Sequence, residues 1–89
     1  GKNSIFEVDC DNVILETVKK AEDGSGDLIL RLYEAKRMQT NCILKTDLNF
    51  EKVEETNMLE EKKNELDFEY NKIELEFSPF EIKTIRLKM

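Results

Sequence analysis

Hydrophobic and polar residues alternate along most of the chain with a period of two, the mark of strands that bury one face and wet the other. In SIFEVDC (4–10), Phe6, Val8 and Cys10 point one way and Glu7 and Asp9 the other. Asp11-Asn12 is a turn signal. In NVILETVKK (12–20), Val13 and Leu15 share a face but Val18 falls out of step, so this strand is expected to be covered on both sides or bulged. AEDGSGD (21–27) is the clearest loop and reads as a hairpin loop. In DLILRLYEA (27–35), Leu28, Leu30 and Leu32 face the core, with Arg31 and Tyr33 opposite. NCILKTDL (41–48) sets Cys42, Leu44 and Leu48 against Lys45 and Asp47. The short polar loop between these two strands suggests that they pair as an antiparallel hairpin.

The stretch FEKVEETNMLEEKKNEL (50–66) is less plain. Its Glu and Lys content favours helix, but Val53, Met58 and Leu59 make no helical stripe. The alternative is a strand around Lys52 to Glu60 followed by a charged turn from Glu61 to Asn64. Beyond it, LDFEY and KIELEF alternate and are joined at Asn71, a residue that tolerates left-handed turn geometry. Leu66, Phe68 and Tyr70 share one face, and Ile73, Leu75 and Phe77 another. Ser78-Pro79 interrupts pairing. In the last run, Phe80 and Ile82 alternate, then Ile85 and Leu87, and the three-residue step between the pairs implies a bulge near Lys83-Thr84. The whole predicts an all-β, antiparallel β-sandwich of about seven short strands. No repeat period supports a propeller or solenoid.

Composition narrows what such a domain can do. At 89 residues the chain is one domain or part of one, and 39% hydrophobic residues allow a thin two-layer core. Its net charge of −6, from 14 basic and 20 acidic residues, disfavours nucleic acid and anionic membrane as partners. No apolar run approaches the ~20 residues that span a bilayer. The N-terminus lacks a signal-peptide pattern, which with the reduced-cysteine reading points to a cytoplasmic setting. Gly1, with no methionine before it, reads as a cloning remnant or an internal cut, so residues 1–3 are taken as cloning or linker residues and residues 4–89 as the single C-terminal β-sandwich domain of a larger enzyme.

Chemistry is sparse. Without histidine, His-based nucleophile activation, proton shuttling and metal ligation are excluded. No G-x-S-x-G elbow, P-loop or dinucleotide fingerprint is present, and DGSGD lacks the lysine and following helix of a phosphate loop. Cys10 and Cys42 stand far apart in sequence with no C-x-x-C pair, so both read as reduced and buried, and neither a zinc nor a thioredoxin-like reading gains support. The acidic stretches 9–12 and 22–27 offer oxygens for calcium but match no calcium loop, and read as solvated turns. There is no tryptophan to stack on a sugar, and the phenylalanines mostly hold core-parity positions. Tyr33 with Arg31, opposite the leucine face, is the one candidate for a sugar or interdomain contact. No catalytic, cofactor-binding or metal residue is assigned.

Several strings are specific in combination. TVKKAED (17–23), RLYE (31–34), EETNMLEE (54–61) and PFEIKT (79–84) occur in one order, and with their flanks cover about Ser4 to Lys88. Together they resemble the C-terminal β-domain of the glycoside hydrolase family 38 α-mannosidases, with bacterial members the best fit. The hairpin-tip stretch AKRMQTNC (35–42) departs from that pattern. The resemblance favours strand and turn for residues 50–66. It also implies a parent that is a retaining, exo-acting α-mannosidase with a divalent metal, usually zinc, held by His and Asp side chains in a separate N-terminal domain. A chain without histidine cannot supply that set, so this domain is expected to be non-catalytic and to need no cofactor. Its expected partners are the parent's other domains, against which it packs. Alternatives are a module binding mannose-containing glycans, or a specificity element whose loop, such as Ala35 to Asn41, reaches the parent's cleft.

Overall fold

In the computed structural model, residues 6–57 and 62–89 are described, the side chains of Lys62 and Lys63 excepted. The described residues contain no helix and nine strands: β1 (Phe6–Val8), β2 (Val13–Lys20), β3 (Leu28–Glu34), β4 (Thr40–Thr46), β5 (Lys52–Thr56), β6 (Lys62–Leu66), β7 (Phe68–Glu69), β8 (Lys72–Phe77) and β9 (Ile82–Lys88). They form an antiparallel sandwich of two sheets, one ordered β1-β4-β8-β7 and the other β2-β3-β9-β5-β6. The predicted all-β sandwich is therefore the fold, with nine strands rather than about seven.

Alternation explains the layers. Cys42 and Leu44 of β4 and Ile73, Leu75 and Phe77 of β8 line the inner face of the four-stranded sheet. Val13, Leu30, Leu32, Val53, Ile85 and Leu87 meet them from the five-stranded sheet. Fully burying each large side chain stabilises the fold by about 1.5–3 kcal/mol. Phe6, Val8 and Cys10 pack against this core at its edge, as their parity predicts. The Phe50 and Phe68 rings, 4.7 Å apart between centroids and tilted by 54°, pack together where the chain passes between sheets.

The strand that lost step at Val18 is indeed bulged. Its pairing with β3 shifts between Leu15 and Thr17, which leaves Glu16 as the extra residue. Residues 21–27 connect β2 to β3 as a hairpin loop, as read. Gly24 and Gly26 hold φ of 79° and 83°, left-handed geometry that a β-carbon would strain.

Four readings are corrected. First, β3 and β4 do not pair: β3 lies between β2 and β9, and β4 between β1 and β8. Residues 35–39 carry the chain across the core, so both leucine faces point inward from opposite layers. Second, β9 has no bulge, and its register with β3 and β5 is unbroken. Its three-residue apolar step arises because the inward position between Ile82 and Ile85 is a lysine. Lys83 lays its stem along the core, with Nζ 5.5 Å from the Phe77 ring centroid and 3.5 Å from the Glu55 carboxylate. Third, Leu66 and Phe68 do not share a strand: β6 belongs to the five-stranded sheet and β7 to the other. At the β7–β8 turn it is Tyr70, not Asn71, that adopts positive φ (57°). Fourth, Lys62 to Asn64 lie in strand β6 rather than in a turn. The remainder of that stretch, Met58 to Glu61, lies outside the described residues.

Candidate functional site

The outward face of the five-stranded sheet has two unlike ends. At one end the β2–β3 loop folds back over the sheet and seals it. Arg86, on the outward face of β9, donates from Nε to Asp27 (2.9 Å) and from Nη2 to Asp23 (2.7 Å) and Ser25 Oγ (3.0 Å). Asp27 also accepts the Met89 N–H at 3.0 Å. Beneath the loop Ile29 is buried even though it points away from the core. The Arg86 guanidinium, joined by the Ser25 hydroxyl and N–H, holds the Asp23 carboxyl well below the usual carboxylate range. At Asp27 burial acts to raise the pKa, but the Met89 N–H, Arg86 and Lys88 outweigh it and the net shift is downward. Arg86 in turn is raised by Asp23 first and Asp27 second, against burial.

The other end of this face is open and apolar. Ile14 on β2, Tyr33 on β3 and Ile82 on β9 fall opposite one another in the register and form one row across three strands. Ile82 is 59% exposed, and Ile14 is exposed as well. The next row comprises Thr17, Arg31, Thr84 and Thr56. Arg31 and Tyr33, the residues singled out from the sequence, are thus neighbours on this face, both half-buried. Among the described residues, Arg31 Nε is buried without a hydrogen-bond partner.

Phe80 lies two residues before Ile82, at the same end of β9. It is 58% exposed and sits at φ 59°, a conformation that costs a bulky residue energy and is kept only where its surroundings enforce it. The enforcement is visible. The Phe80 N–H donates to Glu34 Oε1 at 2.8 Å, the Ser78 N–H donates to Glu81 Oε1 at 2.8 Å, and the Glu81 N–H donates to the Ser78 carbonyl at 2.9 Å. Glu34, only 1% exposed, gathers three segments at this end of the sandwich, accepting from Phe80, from Asn12 Nδ2 (2.9 Å) and from the Lys36 N–H (2.8 Å). Burial alone would raise the Glu34 pKa, but these donors, with the Met38 N–H, bring it down to about 2. A carboxylate fastened this tightly is a clasp, not a general acid or base.

Sequence reading took Phe80 and Ile82 as an alternating apolar pair at the start of the last run, named neither as a surface residue, and so missed both exposed side chains. A signal was available. Strict alternation from Ile82 through Thr84 to Arg86 groups Ile82 with polar residues, hence with the outward face. Asp9 to Asn12 and Glu22 to Asp27, weighed above for calcium, instead serve protein contacts: Asn12 and Asp27 are buried and bonded as described, and Asp9 Oδ1 accepts the Ile43 N–H at 2.8 Å.

The face offers shape and apolar area, and among the described residues neither cysteine is activated as a nucleophile. Both cysteines are free thiols. Burial raises the pKa of each, and Cys42 is pushed up to about 12 by burial first and by the nearby Cys10 and Asp9 second. Comparison with curated proteins returns no match. Comparison with protein-family models matches residues 12–85, from the turn before β2 into β9, to the C-terminal beta sandwich domain of the glycosyl hydrolases family 38. The match takes in most of the chain, with β2, β3, β5 and β6 whole and β9 as far as Ile85, and the chain belongs to that family.

Proposed function

We propose that this chain is a non-catalytic packing module of a retaining, metal-dependent α-mannosidase, and that it docks on the parent's other domains through Ile14, Tyr33, Phe80 and Ile82. One observation carries the reading: an in-register apolar row lies open on an outward sheet face beside a phenylalanine locked in a strained, exposed pose. Exposed apolar area of this kind marks interaction surfaces, and stored backbone strain clusters at functional positions. Membership of family 38 supplies the occupant, since a C-terminal domain of a glycosidase has the enzyme's remaining domains at hand. The mannoside specificity rests on the strings TVKKAED, RLYE and PFEIKT, and the His and Asp metal set of such a parent has no counterpart in a chain without histidine.

The test compares the isolated chain with the whole enzyme. The double variant Phe80→Glu, Ile82→Glu alters exposed positions, so the isolated chain should keep its unfolding free energy to within about 0.5 kcal/mol. The parent carrying the same pair should lose thermal stability and activity. A parent that melts and turns over mannoside substrate as before would overturn the proposal.

A second reading has its own support. An aromatic ring beside a half-buried arginine provides stacking and N–H donors, the two contacts a pyranose ring takes. Mannobiose titrated against the isotope-labelled chain would then move the Arg31 and Tyr33 resonances at millimolar sugar. Unmoved resonances leave this surface to protein contact.

A further inference from the structure

Outside that face, one cluster of side chains has a chemistry that neither packing nor the family description uses. Strand β1 pairs with β4 through Phe6–Thr46, Glu7–Lys45 and Val8–Leu44. The Asp9 N–H continues the ladder to the Ile43 carbonyl at 3.2 Å. One step further in the same register, Cys10 stands opposite Cys42. Two cysteines separated by 31 intervening residues in the sequence are thereby set side by side, with no C-x-x-C spacing to announce them. Asp9 turns its carboxylate into the same place, fixed by the Ile43 N–H on Oδ1 at 2.8 Å.

A ligand-bearing oxygen of Asp9 and the sulfurs of Cys10 and Cys42 all lie within 4.8 Å of one another. We propose that Asp9, Cys10 and Cys42 form a binding site for a thiophilic divalent cation of the zinc class. Zinc takes thiolate sulfur at about 2.3 Å and carboxylate oxygen at about 2.0–2.2 Å in a tetrahedron, so its sulfur and oxygen ligands stand about 3.5 Å apart. Cys10 Sγ is 3.4 Å from Asp9 Oδ1 and 3.4 Å from the Asn41 carbonyl oxygen. The carboxylate thus has ligand spacing before any metal arrives, and the Asn41 carbonyl offers a fourth donor. The bond from the Ile43 N–H to the ligating carboxylate is the outer-shell support that metal ligands use to hold their orientation.

Selectivity and access follow from the same residues. Two sulfurs favour zinc-class ions over calcium and magnesium, which take oxygen. An open cleft of about 540 Å³ borders Asp9 and Cys42, with Glu74 and Glu76 on its wall, so an arriving cation meets carboxylates first. On binding, each thiol releases its proton to solvent as its sulfur takes the metal. The ion then ties edge strand β1 to β4.

The experiment titrates the reduced chain with cobalt(II), read by thiolate-to-metal charge-transfer absorption, and then with zinc in competition with a chromophoric chelator. One equivalent of cobalt should bind with the charge-transfer band, and zinc should displace it. Cys10→Ser and Cys42→Ser should each abolish the band. Asp9→Asn, at an exposed position, should leave the circular dichroism spectrum unchanged and weaken zinc by more than about tenfold, since even outer-shell losses cost that much. A folded, reduced chain that takes up no cobalt overturns the site. So does a Cys10→Ser variant that binds as well as the parent sequence. Reduced thiols that ignore both metals and close to a disulfide on exposure to oxidised glutathione would assign the pair to redox chemistry instead, again overturning the site.

Discussion

Replacing Arg86 by methionine keeps most of the side-chain volume and removes the fork that holds the β2–β3 loop down. The largest loss is at Asp27, whose side chain is 7% exposed and accepts two of the arginine's contacts, at 2.9 and 2.8 Å. A hydrogen bond to a charged group contributes about 1.5–3 kcal/mol, while stripping a buried ion of its whole partner costs about 3–5 kcal/mol. Asp27 keeps the Met89 N–H and Lys88, whose Nζ is 3.4 Å away, so the lower part of that span applies. Asp23 is half exposed and its arm of the fork is screened by solvent, so it adds nothing to the sum. The expected loss is therefore about 2–3 kcal/mol, a large share of the 5–15 kcal/mol that holds a typical domain. Urea unfolding followed by far-UV circular dichroism should show the midpoint falling by about 1–2 M with an unchanged slope. Arg86→Lys keeps the charge but not the two-pronged geometry and should fall in between. In a double-mutant cycle with Asp27→Asn, the pair should couple by at least about 1 kcal/mol. A loss below about 0.5 kcal/mol, or an additive cycle, would refute the assignment of this fork as the loop's anchor.

Other expectations follow from the same structure. Phe77→Ala opens a cavity between the sheets and should cost about 3–5 kcal/mol by the same urea assay. Acid should loosen the end of the sandwich held by Glu34. Its folded pKa, about 2, lies below the unfolded value of about 4.3, so its contribution is complete above pH ~4.3 and is lost as pH falls toward 2. Glu34→Gln should flatten the stability-against-pH curve in that window, and an unchanged acid slope would count against the clasp. Gly24→Ala, at φ 79°, should destabilise by about 1–2 kcal/mol although its β-carbon would meet no atom within 4 Å. Tyr70→Gly should gain up to about 1 kcal/mol by relieving left-handed strain at an 86% exposed position, read as a rise in melting temperature.

Period-two patterning was enough to find the sandwich, the core leucines of β3 and β4, and the bulge in β2, because each is a local consequence of which side chains seek water. It failed where a long-range contact decided the matter. Lys83 looked like an interruption of an apolar strand because nothing in its neighbourhood reveals Glu55, its partner from another strand across the sheet. The supposed β3–β4 hairpin failed for a similar reason, since a five-residue link serves equally well to turn within a sheet or to cross between two. The candidate surface was half legible: Arg31 and Tyr33 stand opposite a clean leucine face, whereas Phe80 owes its exposure to a buried glutamate 46 residues earlier. Nothing in the spacing of Cys10 and Cys42 foretold that one register would align them.

The place of β9 bears on how the chain is made. It runs between β3 and β5 at the middle of the five-stranded sheet, yet its seven residues follow β2, β3, β5 and β6 in the chain. Until they appear, that sheet exists only as two hairpins, β2–β3 and β5–β6, each with an unpaired edge facing the gap. A synthesis cut short there would leave two adhesive strand edges instead of a slightly smaller sandwich, and such edges recruit other chains. Strand β9 works as a keystone, and it has to be made before either side of the arch can bear weight.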